Sequence, residues 1–299
     1  MNMRQLIPNP VRRVIPNPIK QLPWRLKWAR STAAYADAPF AALTRLAEWT
    51  FLECIRDELE FDLCGGLHFS TMPNNFCGLM SFVAGEYEPH LLNFLNRHLC
   101  SGAIFCDVGA NIGLYTAVAS RLVGPSGRVI AFEAHPYTFK FLQKNVEENE
   151  LGNVLPLNFA IGAEPGCVEI KYDPGNSGST HVVSSRTEAA IEVPMICLDQ
   201  ALPKHGVNVV DYLKIDVEGY EGFVLHGARS VLERSKGILV QTEVNLQCLQ
   251  RYDLSLNLMI DDLGDLGFSP HLVLHDGTLT AISPTELSYG DVIWSRDML

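Results

Sequence analysis

Ala-Ile-Phe-Cys-Asp-Val-Gly-Ala-Asn-Ile-Gly, residues 103–113, is the stretch whose reading decides the fold. An apolar run closes on an acid, Asp107, and a loop of small residues follows. Leu114 to Val123 then has helical spacing until Gly124-Pro125 stops it. Strand, loop and helix in that order form the opening unit of an open α/β sheet, where small ligands bind beyond the carboxyl ends of the strands. Gly109 and Gly113 allow backbone angles and a close ligand approach that side chains would block.

The loop is also informative for what it lacks. Dinucleotide sites use G-x-G-x-x-G to bring a pyrophosphate onto a helix N-terminus. Here the spacing is Gly109-x-x-x-Gly113, with Ala110 and Asn111 between, and Asp107 stands two residues before the first glycine. A carboxylate there repels phosphate and suits a ligand bearing an ammonium and a sulfonium. Glu133 ends the next strand, 128–133, twenty residues beyond Gly113, the offset expected of an acid that grips a ribose diol. A ribose joined to a cationic amino acid, without phosphate, points to S-adenosylmethionine. The same features argue against a nicotinamide dehydrogenase. An ordinary glycine-turned loop of another α/β enzyme stays open on the loop alone.

Outward from that centre, 299 residues with 47% hydrophobic content suffice for one large α/β domain and an N-terminal extension. A net charge of −11 argues against a general nucleic-acid binder. The eight cysteines form no C-x-x-C pair, which fits reduced core thiols in a cytoplasmic protein better than a disulfide framework or a zinc site. No apolar run reaches membrane-spanning length, and no leader pattern opens the chain.

Residues 1–36 carry seven cations and no acid, so the remainder bears −18. They contain a short repeat, Ile7-Pro-Asn-Pro-Val11 and Ile15-Pro-Asn-Pro-Ile19, whose prolines resist regular helix, and then Trp24-Arg-Leu-Lys-Trp-Ala-Arg30. Two readings lead: residues 1–30 touch an anionic membrane surface, or the arm lies along the acidic body of its own or a partner subunit in a homo-oligomer; a targeting peptide comes third, because proline suits amphipathic transit helices poorly. The expected organisation is a basic proline-rich arm at 1–36, a helix and hairpin extension at 37–100, and the ligand-binding domain at 101–299.

In the extension, 41–55 reads as a helix with Leu43, Leu46, Ala47 and Thr50 on one side, and 58–63 and 67–71 flank Gly65-Gly66 as a hairpin. Gly85-Glu-Tyr-Glu-Pro89 precedes a helix bearing Leu91, Leu92, Leu95 and Leu99; Glu86, Tyr87 and Glu88 either reach the cofactor or cap that helix. Farther on, 136–149 is helical and 153–159 is a strand. Asn158, Phe159 and Ala160 at its end are candidates for the adenine neighbourhood. Two extended segments, 166–172 and 191–198, bracket a polar loop that is either a linker or a lid. No metal-type histidine cluster appears; His271 and His275 lie too far apart along an expected strand to share an ion easily.

A second chemical centre is Val209-Val-Asp-Tyr-Leu-Lys-Ile-Asp216, followed by Val217-Glu-Gly-Tyr-Glu221. Alternation puts Lys214 and Asp216 on one face, either as a charge pair offsetting its own desolvation or as a group that binds a hydroxyl and accepts its proton. The strand 238–243 also ends in an acid, Glu243, and Glu218 faces the pocket or begins a helix.

Taken together, Gly85–Pro89, Phe105–Gly113, Phe132-Glu-Ala-His-Pro136, Asn158-Phe-Ala-Ile-Gly162, Leu213–Glu221 and Thr242-Glu243 resemble the FkbM-type family of S-adenosylmethionine-dependent methyltransferases over roughly residues 85–245. The resemblance implies a class I methyltransferase (Rossmann-like) sheet of seven strands, mostly parallel with an antiparallel last strand, 269–274 and 291–295 supplying the final pair. It also implies O-methylation of a hydroxyl on a sugar, glycolipid or polyketide-type natural product, with N-methylation of an amide or peptide side chain as the alternative within the family. A non-catalytic module keeping this fold and docking at membranes is the alternative outside it. The expected roles are Asp107, Gly109, Ala110, Asn111 and Gly113 on the amino-acid half of the donor, Glu133 on the ribose, and Asp216 as base. Lys214 would orient that base, with Glu218 and Glu243 its rivals. A divalent ion shared by Asp216 and Glu243 is the competing mechanism.

Overall fold

The computed structural model describes residues 16–63, 65–172, 180–183, 190–252, 256–287 and 289–296. It divides into two units, 1–87 with 174–177 and 88–173 with 178–299. The first repeat of the basic arm, Cys64, and nearly all of the polar loop after Tyr172 lie outside the described residues.

In the first unit, α1 (Asn17–Ala29) starts inside the second repeat, with Pro18 in its first turn, where a missing N–H costs nothing. Then come α2 (Ala33–Asp37), α3 (Pro39–Ile55), an antiparallel hairpin of β1 (Leu59–Leu63) and β2 (Leu67–Thr71), and α4 (Phe76–Ala84). The hairpin turns at Gly65-Gly66 as the sequence suggests. The buried face of α3 differs from the one expected: Ala42, Leu46, Trp49, Thr50 and Glu53 point inward, while Ala47 is exposed. Its cause is a side chain from α1. The Arg25 guanidinium is buried and pairs with the Glu53 carboxylate, which also accepts the Asn74 backbone N–H at 2.8 Å. That polar cluster and the Trp49 ring together set the rotation of the helix.

The second unit opens with α5 (Pro89–His98) and alternates strand and helix: β3 (Ile104–Val108), α6 (Leu114–Val123), β4 (Arg128–Phe132), α7 (Pro136–Glu148) and β5 (Val154–Leu157). After β6 (Ala160–Ile161), β7 (Gly166–Lys171), β8 (His181–Val183) and β9 (Ala190–Ile196) come α8 (Leu198–Lys204), β10 (Tyr212–Ile215), α9 (Glu221–His226), α10 (Arg229–Arg234) and β11 (Leu239–Asn245). The chain ends with α11 (Leu246–Leu249), α12 (Leu256–Asp265), β12 (Ser269–Val273), β13 (Leu279–Ala281) and β14 (Tyr289–Ser295).

The main sheet runs β13-β12-β14-β11-β10-β3-β4-β5 among the described residues. The five strands from β11 to β5 are mutually parallel, and β14 runs antiparallel between β11 and β12. This is the class I methyltransferase arrangement with one short edge strand, β13, beyond the seven expected. The segments at 166–172 and 191–198 do not join it; β7 and β9 pair antiparallel in a separate sheet of order β6-β9-β7-β8.

Alternation divides the main sheet by face. Cys106, Val108, Leu213, Ile215, Val240 and Trp294 build the core on one side with α8, α9, α10 and α12. Phe105 and Tyr212 stack on the other with centroids 5.3 Å apart, and Asp107 and Lys214 follow in the same register row. Successive strands leave β3 in opposite directions, β4 to one side and β10 to the other, so the topological switch point falls between β3 and β10.

Candidate active site

Everything chemical in the second unit gathers at this switch point. Gly109 has φ +82, and a Cβ there would collide with the Asp216 backbone carbonyl. Only glycine lets the loop after β3 lie against the end of β10. Gly109 and Ala110 both donate their N–H to the Phe132 carbonyl at 2.9 Å, which ties the loop to β4 as well. Asn111, at φ +52, folds its side chain back to accept the Ile112 N–H, and Gly113 starts α6 at φ +92.

Asp107 has no solvent exposure. One of its oxygens accepts the Thr116 hydroxyl at 2.6 Å, while the other is buried without a hydrogen-bond partner. Its cross-strand neighbour is Lys214, whose ammonium donates to Asp216 at 2.9 Å and sits 4.7 Å above the Tyr115 ring. Burial works against the charge on Lys214, but Asp216, Asp107 and Glu88 outweigh it and hold its pKa above the ordinary lysine range. The two partners differ in setting: the Lys214 side chain is 5% exposed and that of Asp216 is 41% exposed. The second Asp216 oxygen takes no hydrogen bond among the described residues.

Around this pair stand more acids than the sequence reading assigned. Glu88 precedes α5 with φ +43 and accepts the Tyr115 hydroxyl at 2.7 Å. Burial, then the negative charge of Asp291, push its pKa up to about 7. Asp291, the third residue of β14, lies directly opposite Glu243 of β11, and burial with Asp216 nearby raises it to about 6. Glu243 rises to about 8, through burial and then Asp216, Glu218, Glu221 and Asp291. Glu218, at φ +56, is raised by burial and Asp216 and accepts the Cys248 thiol at 3.5 Å. Glu221 begins α9 but spends one oxygen on the Val217 and Gly219 N–H groups, so it holds the turn after β10. Among the described residues, no three His, Cys, Asp or Glu side chains converge as a metal-binding group.

At the end of β4, Glu133 accepts the Asn111 N–H on one oxygen and the His135 N–H on the other, both at 2.9 Å. Burial raises it to about 7 despite those bonds. A carboxylate has about four lone-pair positions, so two backbone donors leave room for a diol. Asn158 uses its amide N–H₂ to tie down the Glu133 and Ala134 carbonyls, a positioning bond. Phe159 packs against the main core, and Ala160 sits with Ile170 and Val193. Beside Glu133, the His135 ring lies flat on Tyr172 at 4.5 Å. Glu86 and Tyr87 close the first unit, where the Tyr87 hydroxyl accepts the Cys77 thiol at 3.4 Å.

Sequence reading therefore named the loop, Glu133, Lys214, Asp216, Glu218 and Glu243, raised Glu88 together with Glu86 and Tyr87 without choosing among them, and missed Tyr115 and Asp291. These residues fit a cationic ribose-bearing ligand: the glycine cradle has no room for a side chain, and the buried Asp107 oxygen is an acceptor without a donor among the described residues.

Comparison with known proteins gives the same direction. A model of the methyltransferase FkbM domain matches residues 107–268. The chain is 30% identical over 202 residues to the hexuronic acid methyltransferase AglP of Haloferax volcanii, covering 67% of this chain and 81% of that one. It is 25% identical over 188 residues to the methyltransferase sdnD of Sordaria araneosa, covering 52% and 71% respectively. The crystal structure of methyltransferase FkbM from Methylobacillus flagellatus aligns with 14% identity and a TM-score of 0.44 over 93% of this chain and 59% of that one.

Proposed function

The chain belongs to the FkbM methyltransferase family and is an S-adenosylmethionine-dependent methyltransferase, and from that premise we propose that it methylates a hydroxyl oxygen of a sugar. Bound at the switch point, the donor supplies an electrophilic methyl group on a sulfonium. What remains for the chain is to align the acceptor and remove its proton.

One observation carries the assignment of that task to Asp216: the glycine loop rests on the Asp216 backbone, while the partly exposed carboxylate is held from one side by Lys214. Lys214 donates to one oxygen of that carboxylate and leaves the other for the hydroxyl. Glu243, with a pKa of about 8, is mostly protonated at neutral pH and less suited to accept a proton there. Glu133 would hold the ribose, and Asp107 the ammonium end. The name of AglP, a hexuronic acid methyltransferase, supports a sugar acceptor.

The test is to supply methyl-labelled donor with free and lipid-linked sugars, uronic acids included, and to locate the label by mass spectrometry. Label on a sugar oxygen fits the proposal. Label confined to an amide nitrogen would move the enzyme to the N-methylating branch.

A further inference from the structure

Glu88 is an acid that a helix start would ordinarily use as a cap. Its backbone carbonyl does receive the Leu91 and Leu92 N–H groups, yet its side chain caps nothing. The left-handed φ of +43, awkward for a residue with a Cβ, turns the carboxyl away from α5 to the Tyr115 hydroxyl. Pro89 fixes the next residue and helps to hold that turn.

The groups facing Glu88 come from three other elements: Tyr115 from α6, Lys214 and Asp216 from β10 and its end, and Asp291 from β14. His90, on its own helix, is also within electrostatic reach. Lys214 is thus the single ammonium facing Glu88, Asp107, Asp216 and Asp291 among the described residues. If all four carboxyls were ionised, three negative charges would go unbalanced in a mostly buried cluster. The least solvated members therefore share a proton at neutral pH.

We propose that Glu88 is a specificity-determining residue that couples donor binding to proton release, so that the site holds the sulfonium donor in preference to its demethylated product. The proposal rests on the reading of this edge as the S-adenosylmethionine site. S-adenosylmethionine brings one net positive charge; S-adenosylhomocysteine, with a neutral sulfur, brings none. A cation entering the cluster favours the ionised form of Glu88, and the displaced proton leaves to solvent. The neutral product offers no such exchange, and on its departure Glu88 takes up a proton again.

The magnitude follows from Glu88 titrating near pH 7. At pH 7 the free site carries about half a proton on Glu88, so donor binding should release about half a proton; the figure approaches one near pH 6 and zero above about pH 8.5. Isothermal titration calorimetry in phosphate and in Tris, whose ionisation heats differ, reads this number directly. Any proton released by Glu133, which meets the ribose of both ligands, is common to the two, so wild-type protein should release more protons on binding S-adenosylmethionine than on binding S-adenosylhomocysteine, by the Glu88 share. Glu88→Gln keeps an oxygen for the Tyr115 hydroxyl and should abolish that excess and narrow the preference for the donor several-fold. Equal proton numbers for the two ligands in the wild type, or an unchanged excess in the variant, would overturn the proposal. Failure of both ligands to bind folded wild-type protein would overturn the donor site itself, and this inference with it.

Discussion

Replacing Lys214 by Met keeps most of the apolar stem and removes the ammonium, and with it the charge and the hydrogen bond to Asp216. Asp107 then remains fully buried with Thr116 as its hydrogen-bond partner among the described residues. Two outcomes are open to it. It can stay ionised, at the cost of an uncompensated buried charge, about 3–5 kcal/mol. Or it can bind a proton that the unfolded chain would release, at about 1.4 kcal/mol per pH unit above the ordinary aspartate pKa of about 3.9. The second route costs about 1.5 kcal/mol at pH 5 and more than 5 kcal/mol at pH 8, so the chain takes it in acid and the first in base. Because the native variant would bind the extra proton, its stability should fall as pH rises. The expected loss relative to wild type is about 1.5 kcal/mol at pH 5 and about 3–5 kcal/mol at pH 8. Urea unfolding followed by circular dichroism at the two pH values measures it. A loss that is the same at both, or below about 1 kcal/mol at pH 8, would refute the claim that Lys214 neutralises a buried acid cluster.

Gly109→Ala would force a Cβ into the Asp216 carbonyl at a left-handed φ, so donor affinity should drop at least about tenfold even where the variant folds; calorimetric titration with S-adenosylmethionine checks this, and wild-type affinity would contradict it. In the first unit, Arg25→Met alone should destabilise by about 3–5 kcal/mol by stranding Glu53, whereas adding Glu53→Met should recover most of that loss; additive losses in denaturant melts would count against a buried pair. The outward arc of α1 exposes Ile19, Lys20, Pro23, Trp24, Lys27 and Arg30 with no acid, and we propose that it contacts anionic membranes. Co-sedimentation with phosphatidylglycerol vesicles should fall at least about fivefold when Lys20, Lys27 and Arg30 are changed to Glu; no pelleting by the wild type, or pelleting indifferent to the change, would dismiss that contact. Among the described residues, no helix is long and apolar enough to cross a membrane.

The parts of this molecule visible in the sequence are those where one local signal has one physical meaning. Asp107, Glu133 and Asp216 each close an apolar run at the carboxyl edge of a parallel strand, and period-2 alternation puts Lys214 with Asp216. Asp291 escaped the same rule because β14 runs antiparallel: the acid sits near the start of its strand, and only the pairing with Glu243 brings it to that edge. Glu88 was hidden by its neighbours. Which of three consecutive residues faces the cluster depends on a left-handed φ that no spacing announces. Tyr115 carries no local signal at a helix start, and only its hydroxyl on Glu88 and its ring under Lys214 distinguish it. The rotation of α3 likewise depends on Arg25, a buried cation from a segment whose basic composition suggested a membrane contact or an arm along an acidic body. The second sheet was legible as extended segments, but strand pairing at a distance is not written in either partner.

The central claim is that Asp216, poised between the glycine loop and Lys214, removes the proton of the methyl acceptor. The most direct measurement is single-turnover methyl transfer by Asp216→Asn, beside calorimetric affinity for S-adenosylmethionine. The account predicts affinity within a few-fold of wild type and transfer slowed by at least about a hundredfold. Near-normal transfer by the variant would contradict it and pass the role to Glu243 or Glu218.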